Sequence, residues 1–307
     1  MFADVQAAAA RIAPFVHRTP VMTSHLLDEW LGADVFLKCE HLQRIGAFKY
    51  RGATNAVQSL SAHAAAAGVA AHSSGNHGAA LALAARTRGI PAHIVVPSTA
   101  ARAKRAAVEA YGARIVLCEP TLASREATVA AVIAETGAVE IHPFDNDDVI
   151  AGAGTAALEL IEQIAELDVI VTPVGGGGLL SGTALAAHGI EPSLRVIGAE
   201  PAAADDAARS LQTGHIVAPN PPATIADGLL TGLSPRTFAV IADHVETIVT
   251  VSEDEIVTAM HFVWERTKQL IEPSAAVAVA AVRRADLAGA RVGIIISGGN
   301  VDLDAHL

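Results

Sequence analysis

Cysteine is nearly absent. The 307 residues contain two, Cys39 and Cys118, with no CxxC pair and no Cys/His cluster. A disulfide framework is therefore not expected, and a reducing cytoplasm is the expected compartment. Aromatic residues make up only 4% of the chain, so the core has to be built from close contacts between alanine, valine and leucine. Basic residues are outnumbered, leaving a net charge of -11. Nucleic-acid binding and attraction to anionic lipid both need a face of the opposite sign. No uninterrupted apolar run reaches bilayer length. The N-terminal stretch "MFADVQAAAARIAPF" has an early aspartate and no basic segment, so it reads as an amphipathic helix and not as a signal peptide. A soluble, cytoplasmic protein with a sizeable core is expected.

What is present is an alternation. Apolar, largely β-branched runs predict strands at Asp34–Cys39, Ala92–Pro97, Ala113–Cys118, Asp168–Val174, Leu194–Glu200 and Ala290–Ser297. Between them, Asn76–Arg88, Ala100–Tyr111, Thr121–Thr136 and Gly154–Leu167 read as helices, and Val217–Leu230 as a proline-punctuated loop. Strand–helix–strand repetition implies a parallel sheet wrapped by helices, with ligands held beyond the carboxyl ends of the strands.

Three glycine-rich stretches fall at such ends: "HSSGNHG" (His72–Gly78), "PVGGGGLLSG" (Pro173–Gly182) and "ISGGN" (Ile296–Asn300). Gly175–Gly178 lack Cβ atoms, so consecutive backbone N–H groups can converge on an anion at a helix start. The spacing fits neither a dinucleotide fingerprint nor a P-loop, which points to a smaller phosphorylated ligand. Ser73, Ser74, Asn76 and His77 gather donors suited to a carboxylate or a phenolate-like oxygen. In "RIGAFKYRGA", Lys49 sits between Phe48 and Tyr50. Apolar surroundings lower a lysine pKa and make it a nucleophilic amine able to form a Schiff base. Each feature alone has a plainer reading: a strand-to-helix turn, N-capping, or a lysine whose stem lies on the surface. Together they point to pyridoxal phosphate, which needs a lysine, a phosphate site and a polar partner for its ring nitrogen.

The motifs "FLKCE…GAFKYRGA", "HSSGNHG", "PVGGGGLLSG", "AEPAAADD", "TIADG", "EDEI", "IEPSAAV" and "SGGNVDL" occur in an order that resembles the fold-type-II pyridoxal-phosphate enzymes of the threonine dehydratase and serine racemase family, over nearly the whole chain. The resemblance implies an α/β, tryptophan synthase β-like fold with two three-layer α/β/α domains on twisted, mostly parallel sheets. Residues 1–67 and 146–307 would form the large, cofactor-binding domain and 68–145 the small one. It implies that Lys49 carries the cofactor and removes the substrate Cα proton, and that Gly175, Gly176, Gly177 and Gly178 hold the phosphate. Asn76 would bond the ring hydroxyl oxygen, Ser297 would face the ring nitrogen and Phe48 would pack beside the ring. Ser73, Ser74, Asn76 and His77 would bind the substrate carboxylate.

The expected activity is a serine/threonine ammonia-lyase, with serine racemase or 3-hydroxyaspartate ammonia-lyase as alternatives. Ser74 matches the second acid/base that racemisation needs on the face opposite Lys49. A non-catalytic binding protein is disfavoured by the intact motif set. Glu200, Asp206 and the carbonyl of Ala204 match the family's ligands for a divalent cation, magnesium, calcium or manganese, a set that is otherwise a solvated acidic helix start. A homodimer acting on a small hydroxy-amino acid is expected. Three positions depart from the family: Ile45 and Ala47 are apolar where relatives commonly carry polar residues, and Ala79 stands where a glutamine often follows "SSGNHG".

Overall fold

A computed structural model of the chain describes residues 1–73, 75–100, 102–220 and 223–303. Among the described residues the strands, in chain order, are β1 (Val21–Met22), β2 (Asp34–Cys39), β3 (Val69–His72), β4 (Ala92–Pro97), β5 (Arg114–Cys118), β6 (Val139–Glu140), β7 (Val169–Pro173), β8 (Arg195–Pro201), β9 (Thr247–Val251) and β10 (Arg291–Ile296). They form two sheets, ordered β1-β2-β10-β7-β8-β9 and β5-β4-β3-β6. Every pairing is parallel except β1 with β2. The fold is thus α/β with mostly parallel sheets, and no helix among the described residues is long and apolar enough to cross a membrane.

The registers explain the near-continuous apolar runs. Val292 pairs with Val35 on one side and Val169 on the other, and Ile294 with Leu37 and Val171. All five residues of β7 are buried, as strands covered by helices on both faces require. The covering is alanine-rich: in Pro273–Arg284, ten consecutive residues from Pro273 to Val282 are buried. Small side chains bring helix and sheet close, which is how a chain poor in aromatics fills its core.

The six predicted strands coincide with β2, β4, β5, β7, β8 and β10 to within a residue or two. The helix predicted at Gly154–Leu167 instead runs Asp147–Gln163. Asn146 starts it, accepting the Val149 N–H, and Asp147 and Asp148 suit the positive end of the helix dipole. β1, β3, β6 and β9 were not among the predicted strands: β3 is the alanine-rich "VAAH", two are only dipeptides, and β9 interleaves threonine with its apolar residues. Val217–Leu230 holds only a short 3-10 turn, Asp227–Leu229, with positions 221–222 outside the described residues.

Candidate active site

The strand order assembles the site. β10 and β7 are neighbours, so Ser297, just past β10, and Gly175–Gly178, just past β7, emerge side by side. Their carboxyl ends are where an α/β sheet binds ligands. The lysine segment is stitched onto this edge: Ala47 forms an antiparallel bridge with Gly298, and the Phe48 N–H donates to the Ser297 carbonyl at 2.9 Å. Lys49 is the first residue of the Lys49–Ser59 helix.

Lys49 keeps some surface exposure, but its amine end lies in packed surroundings that push its pKa down to about 8, with the Glu272 carboxylate pulling the other way. The amine donates to the Pro143 carbonyl at 2.9 Å and lies 5.1 Å from the centre of the Phe48 ring. Its place at a helix N-terminus further favours the neutral amine. A lysine poised in this way is a nucleophile and a base near neutral pH.

The helix is pinned on its other side. Arg51, fully buried, donates to both oxygens of Glu40 (2.7 and 2.8 Å) and to both oxygens of Glu159 (2.8 and 2.9 Å). Lys38, equally buried, donates to Glu159 at 2.6 Å and to Gln163 at 2.8 Å. Two residues along a helix is roughly half a turn, so this anchor faces away from the amine and fixes the segment that presents it.

The glycine loop is shaped by its neighbours. Gly177 has φ +87, a conformation few side chains tolerate. A Cβ on Gly176 would lie 2.2 Å from the Phe144 ring. The Gly178–Ile190 helix begins at the loop, so its first N–H groups have no partner within the helix. Absent side chains, free donors and a helix dipole make a cradle for a phosphate.

Asn76 and His77 open the Asn76–Arg88 helix, which follows β3. The Asn76 amide donates to Glu272 (3.0 and 3.2 Å to its two oxygens), and its oxygen accepts from Asn300 at 2.8 Å. His77 is buried and donates from Nε2 to the Ile141 carbonyl at 2.8 Å, while Nδ1 has no partner among the described residues. Burial, and then the nearby Lys49 charge, lower its pKa to about 3. The Ser73 hydroxyl accepts the Gly75 N–H at 3.3 Å. Ser74 lies outside the described residues.

Two groups at the site escaped sequence reasoning. Glu272, 5% exposed, accepts from Asn76 and from the Asn300 N–H at 3.1 Å. Its place just before Pro273, the first residue of a helix, disguised it as a capping acid. The His142–Asp145 segment contributes the Pro143 carbonyl on Lys49 and Phe144 against the glycine loop. His142 Nδ1 accepts the Asp145 N–H at 2.9 Å, and burial lowers the pKa of this histidine to about 4. Ile45, flagged in the sequence, adopts φ +62, costly for a β-branched residue; Asn300 holds its carbonyl at 2.7 Å. Ala47 is fully buried.

Away from this centre, Glu200 ends β8 and caps the Asp206–Thr213 helix, accepting the Ala207 and Ala208 N–H groups at 2.9 and 2.8 Å. Burial raises its pKa to about 8 and also raises that of Asp206, whose Oδ2 is buried without a partner among the described residues. Ala204 is buried beside them. Among the described residues no group of three or more His, Cys, Asp or Glu side chains is gathered for a metal, so the set offers two carboxylates and a carbonyl.

Residues 12–298 match the family model described as "Pyridoxal-phosphate dependent enzyme". The chain is 50% identical over 305 residues to the beta-hydroxyaspartate dehydratase of Paracoccus denitrificans, covering 99% of this chain and 97% of that protein. It is also 50% identical to serine racemase of Arabidopsis thaliana, covering 98% and 93%. The crystal structure of serine racemase from Dictyostelium discoideum superposes with a TM-score of 0.94 at 47% identity, covering 98% of this chain and 99% of that one. Motif order, the desolvated lysine beside a glycine cradle, and matches that run nearly end to end converge on one statement: the chain belongs to the fold-type-II pyridoxal-phosphate-dependent enzymes, among the hydroxy-amino-acid lyases and racemases.

Proposed function

We propose that the protein is an ammonia-lyase that converts small L-β-hydroxy-α-amino acids, serine and threonine among them, to the 2-oxoacid and ammonia. One observation carries this reading: the Lys49 amine, desolvated and donating to Pro143, sits at the edge where Ser297 and Gly175–Gly178 converge. The residues fit pyridoxal phosphate: the glycine loop is packed so closely against Phe144, Leu233 and Thr237 that Gly176 and Gly177 have no room for a side chain, its N–H groups lie at a helix start, and Ser297 is buried. When bound, the cofactor supplies an electron sink for the substrate Cα.

The chain's own residues do the rest. Lys49 would hold the cofactor, and its free amine would take the proton from Cα. The N–H groups of Gly175, Gly176, Gly177 and Gly178 would hold the phosphate, and Phe48 would pack beside the ring. Ser297 would face the ring nitrogen as a neutral hydroxyl. That does not enforce ring protonation and suits elimination, in which a departing hydroxyl relieves the charge developing at Cα. Asn76, held by Glu272 and Asn300, would bond the ring hydroxyl oxygen. Ser73 and the helix start at Asn76–His77 receive the substrate carboxylate. The β-hydroxyl leaves as water, and the released enamine takes up water to give pyruvate or 2-oxobutyrate plus ammonia.

A second reading, 3-hydroxyaspartate as substrate, is favoured by Arg125. Its Nε is buried without a partner among the described residues, and burial, with a smaller contribution from the Arg125 charge, lowers the pKa of His72, the last residue of β3 before the Ser73 loop. A guanidinium there suits a second carboxylate. The 50% identity to beta-hydroxyaspartate dehydratase points the same way, as the identity to serine racemase supports racemisation through Lys49 and Ser74. For the divalent cation, the unpartnered Asp206 oxygen and the buried Glu200 are what a hard cation would relieve, with Ala204 as the carbonyl ligand and magnesium or calcium suited to it. Chelation then lowers thermal stability in the wild type and leaves Asp206→Asn unchanged; an equal response of both removes the assignment.

The test of the cofactor reading is spectroscopic. Purified protein is expected to show visible absorbance that borohydride bleaches, and Lys49→Ala to lack it; absorbance retained in that variant overturns the reading. Ser74→Ala is expected to stop racemisation and spare elimination from the L-substrate.

A further inference from the structure

At the far ends of the two helices that flank the glycine cradle, two histidines face each other. Gly178–Ile190 starts at the cradle and carries His188 in its last turn; Pro235–His244 starts beside the cradle and ends on His244. Thr237, in the first turn of the second helix, limits the space at Gly177. The two Nδ1 atoms are 3.2 Å apart and the rings are nearly perpendicular, at 86°. They line an open cleft of about 260 Å³ with Pro192, Leu194, Asp243 and Glu246.

Three features make this cleft a place for a cation. Both helices point the negative ends of their dipoles, with their last unpaired carbonyls, at this spot. The rim carries Asp243 and Glu246, and Glu191 caps the first helix, against a single cation, Arg195, bound to Glu246 at 2.6 Å. The Nδ1 separation lies between the ~3.0 Å of adjacent octahedral ligands and the ~3.4 Å of tetrahedral ones, taking metal–nitrogen bonds of about 2.1 Å.

We propose that His188 and His244 form a two-histidine site for a late transition-metal cation of the zinc or nickel type, completed by water. It clamps together the two helices whose other ends shape the cradle. Imidazole ligands set it apart from the all-oxygen site at Glu200 and Asp206, since hard cations such as magnesium bind nitrogen poorly. The proposal stands independently of the substrate.

Calorimetric titration of zinc into the holoenzyme, with excess magnesium to fill oxygen-ligand sites, tests it. Wild type is expected to bind one zinc more per chain than the His188→Gln/His244→Gln double variant, and each single variant to bind that zinc about tenfold or more weaker. Should the variants fail to fold, carbethoxylation of the wild type mapped by mass spectrometry gives the answer: zinc is expected to protect both histidines. Equal zinc binding by wild type and double variant, or modification of His188 and His244 at the same rate with and without zinc, overturns the proposal and leaves a simple histidine–histidine hydrogen bond.

Discussion

At the residue scale, the chemistry turns on how strongly Lys49 holds its proton. Burial lowers that affinity and Glu272 opposes it. Replacing Glu272 with glutamine removes the opposing charge and keeps one acceptor oxygen, which the Asn76 amide and the Asn300 N–H would have to share. Glu272→Gln should therefore move the alkaline midpoint of Lys49 below about 8, read as the pH dependence of its acylation rate in cofactor-free protein. An unchanged midpoint would show that Glu272 only props up the Asn76 loop. Gly176→Ala should be worse tolerated, since its Cβ would fall 2.2 Å from the Phe144 ring. A loss of about 1–3 kcal/mol is expected from overpacking alone, with cofactor affinity falling as the loop shifts; urea unfolding and a pyridoxal phosphate titration read the two effects separately.

At the scale of elements, the Lys49–Ser59 helix is held by a largely buried ionic cluster, in which Arg51, Lys38 and Glu40 are fully buried and Glu159 is 13% exposed. Arg51→Met leaves Glu40 buried without its guanidinium, and breaking such a pair costs about 3–5 kcal/mol. Denaturant unfolding should show that loss, while a surface pair such as Arg18–Glu162 should matter by less than about 1 kcal/mol when broken. The elements themselves were legible to different degrees. The β-branched runs "DVFLKC" and "DVIVTPV" announce buried parallel strands, and "NHGAALALAARTR" matches the helix Asn76–Arg88 end for end. "VAAH" does not announce β3, because alanine carries little strand preference and its place comes from pairing with β4 and β6. Lys49 and the glycine loop were readable because local chemistry marks them. Glu272, Asn300 and Phe144 were not, since their roles exist only once distant segments meet. The same holds for Arg51 and Glu159, which lie 108 positions apart.

At the scale of the whole molecule, the buried His77 and the half-buried His142 make stability depend on pH. The pKa of His77 is about 3 and that of His142 about 4 in the folded protein, against an ordinary value of 6.5. An unfolded chain takes up these protons first, so the stabilisation is fully present above pH 6.5 and is lost as pH falls toward those values. His77 contributes a slope of up to about 1.4 kcal/mol per pH unit within its window, and the partly exposed His142, screened by solvent, contributes less. Unfolding free energies measured between neutral and mildly acid pH should fall accordingly, and His77→Gln should flatten the curve; a parallel curve would show that the acid sensitivity arises elsewhere.

The central claim is that Lys49, framed by Ser297 and the glycine loop, drives elimination from a small hydroxy-amino acid. Its most direct test is 2-oxoacid release by the holoenzyme given L-serine, L-threonine or 3-hydroxyaspartate, with Lys49→Ala alongside. Wild type is expected to form oxoacid and ammonia in equal amounts from at least one of the three, and the variant to form none. Release that survives in Lys49→Ala, or a cofactor-loaded wild type inert toward all three, would contradict it.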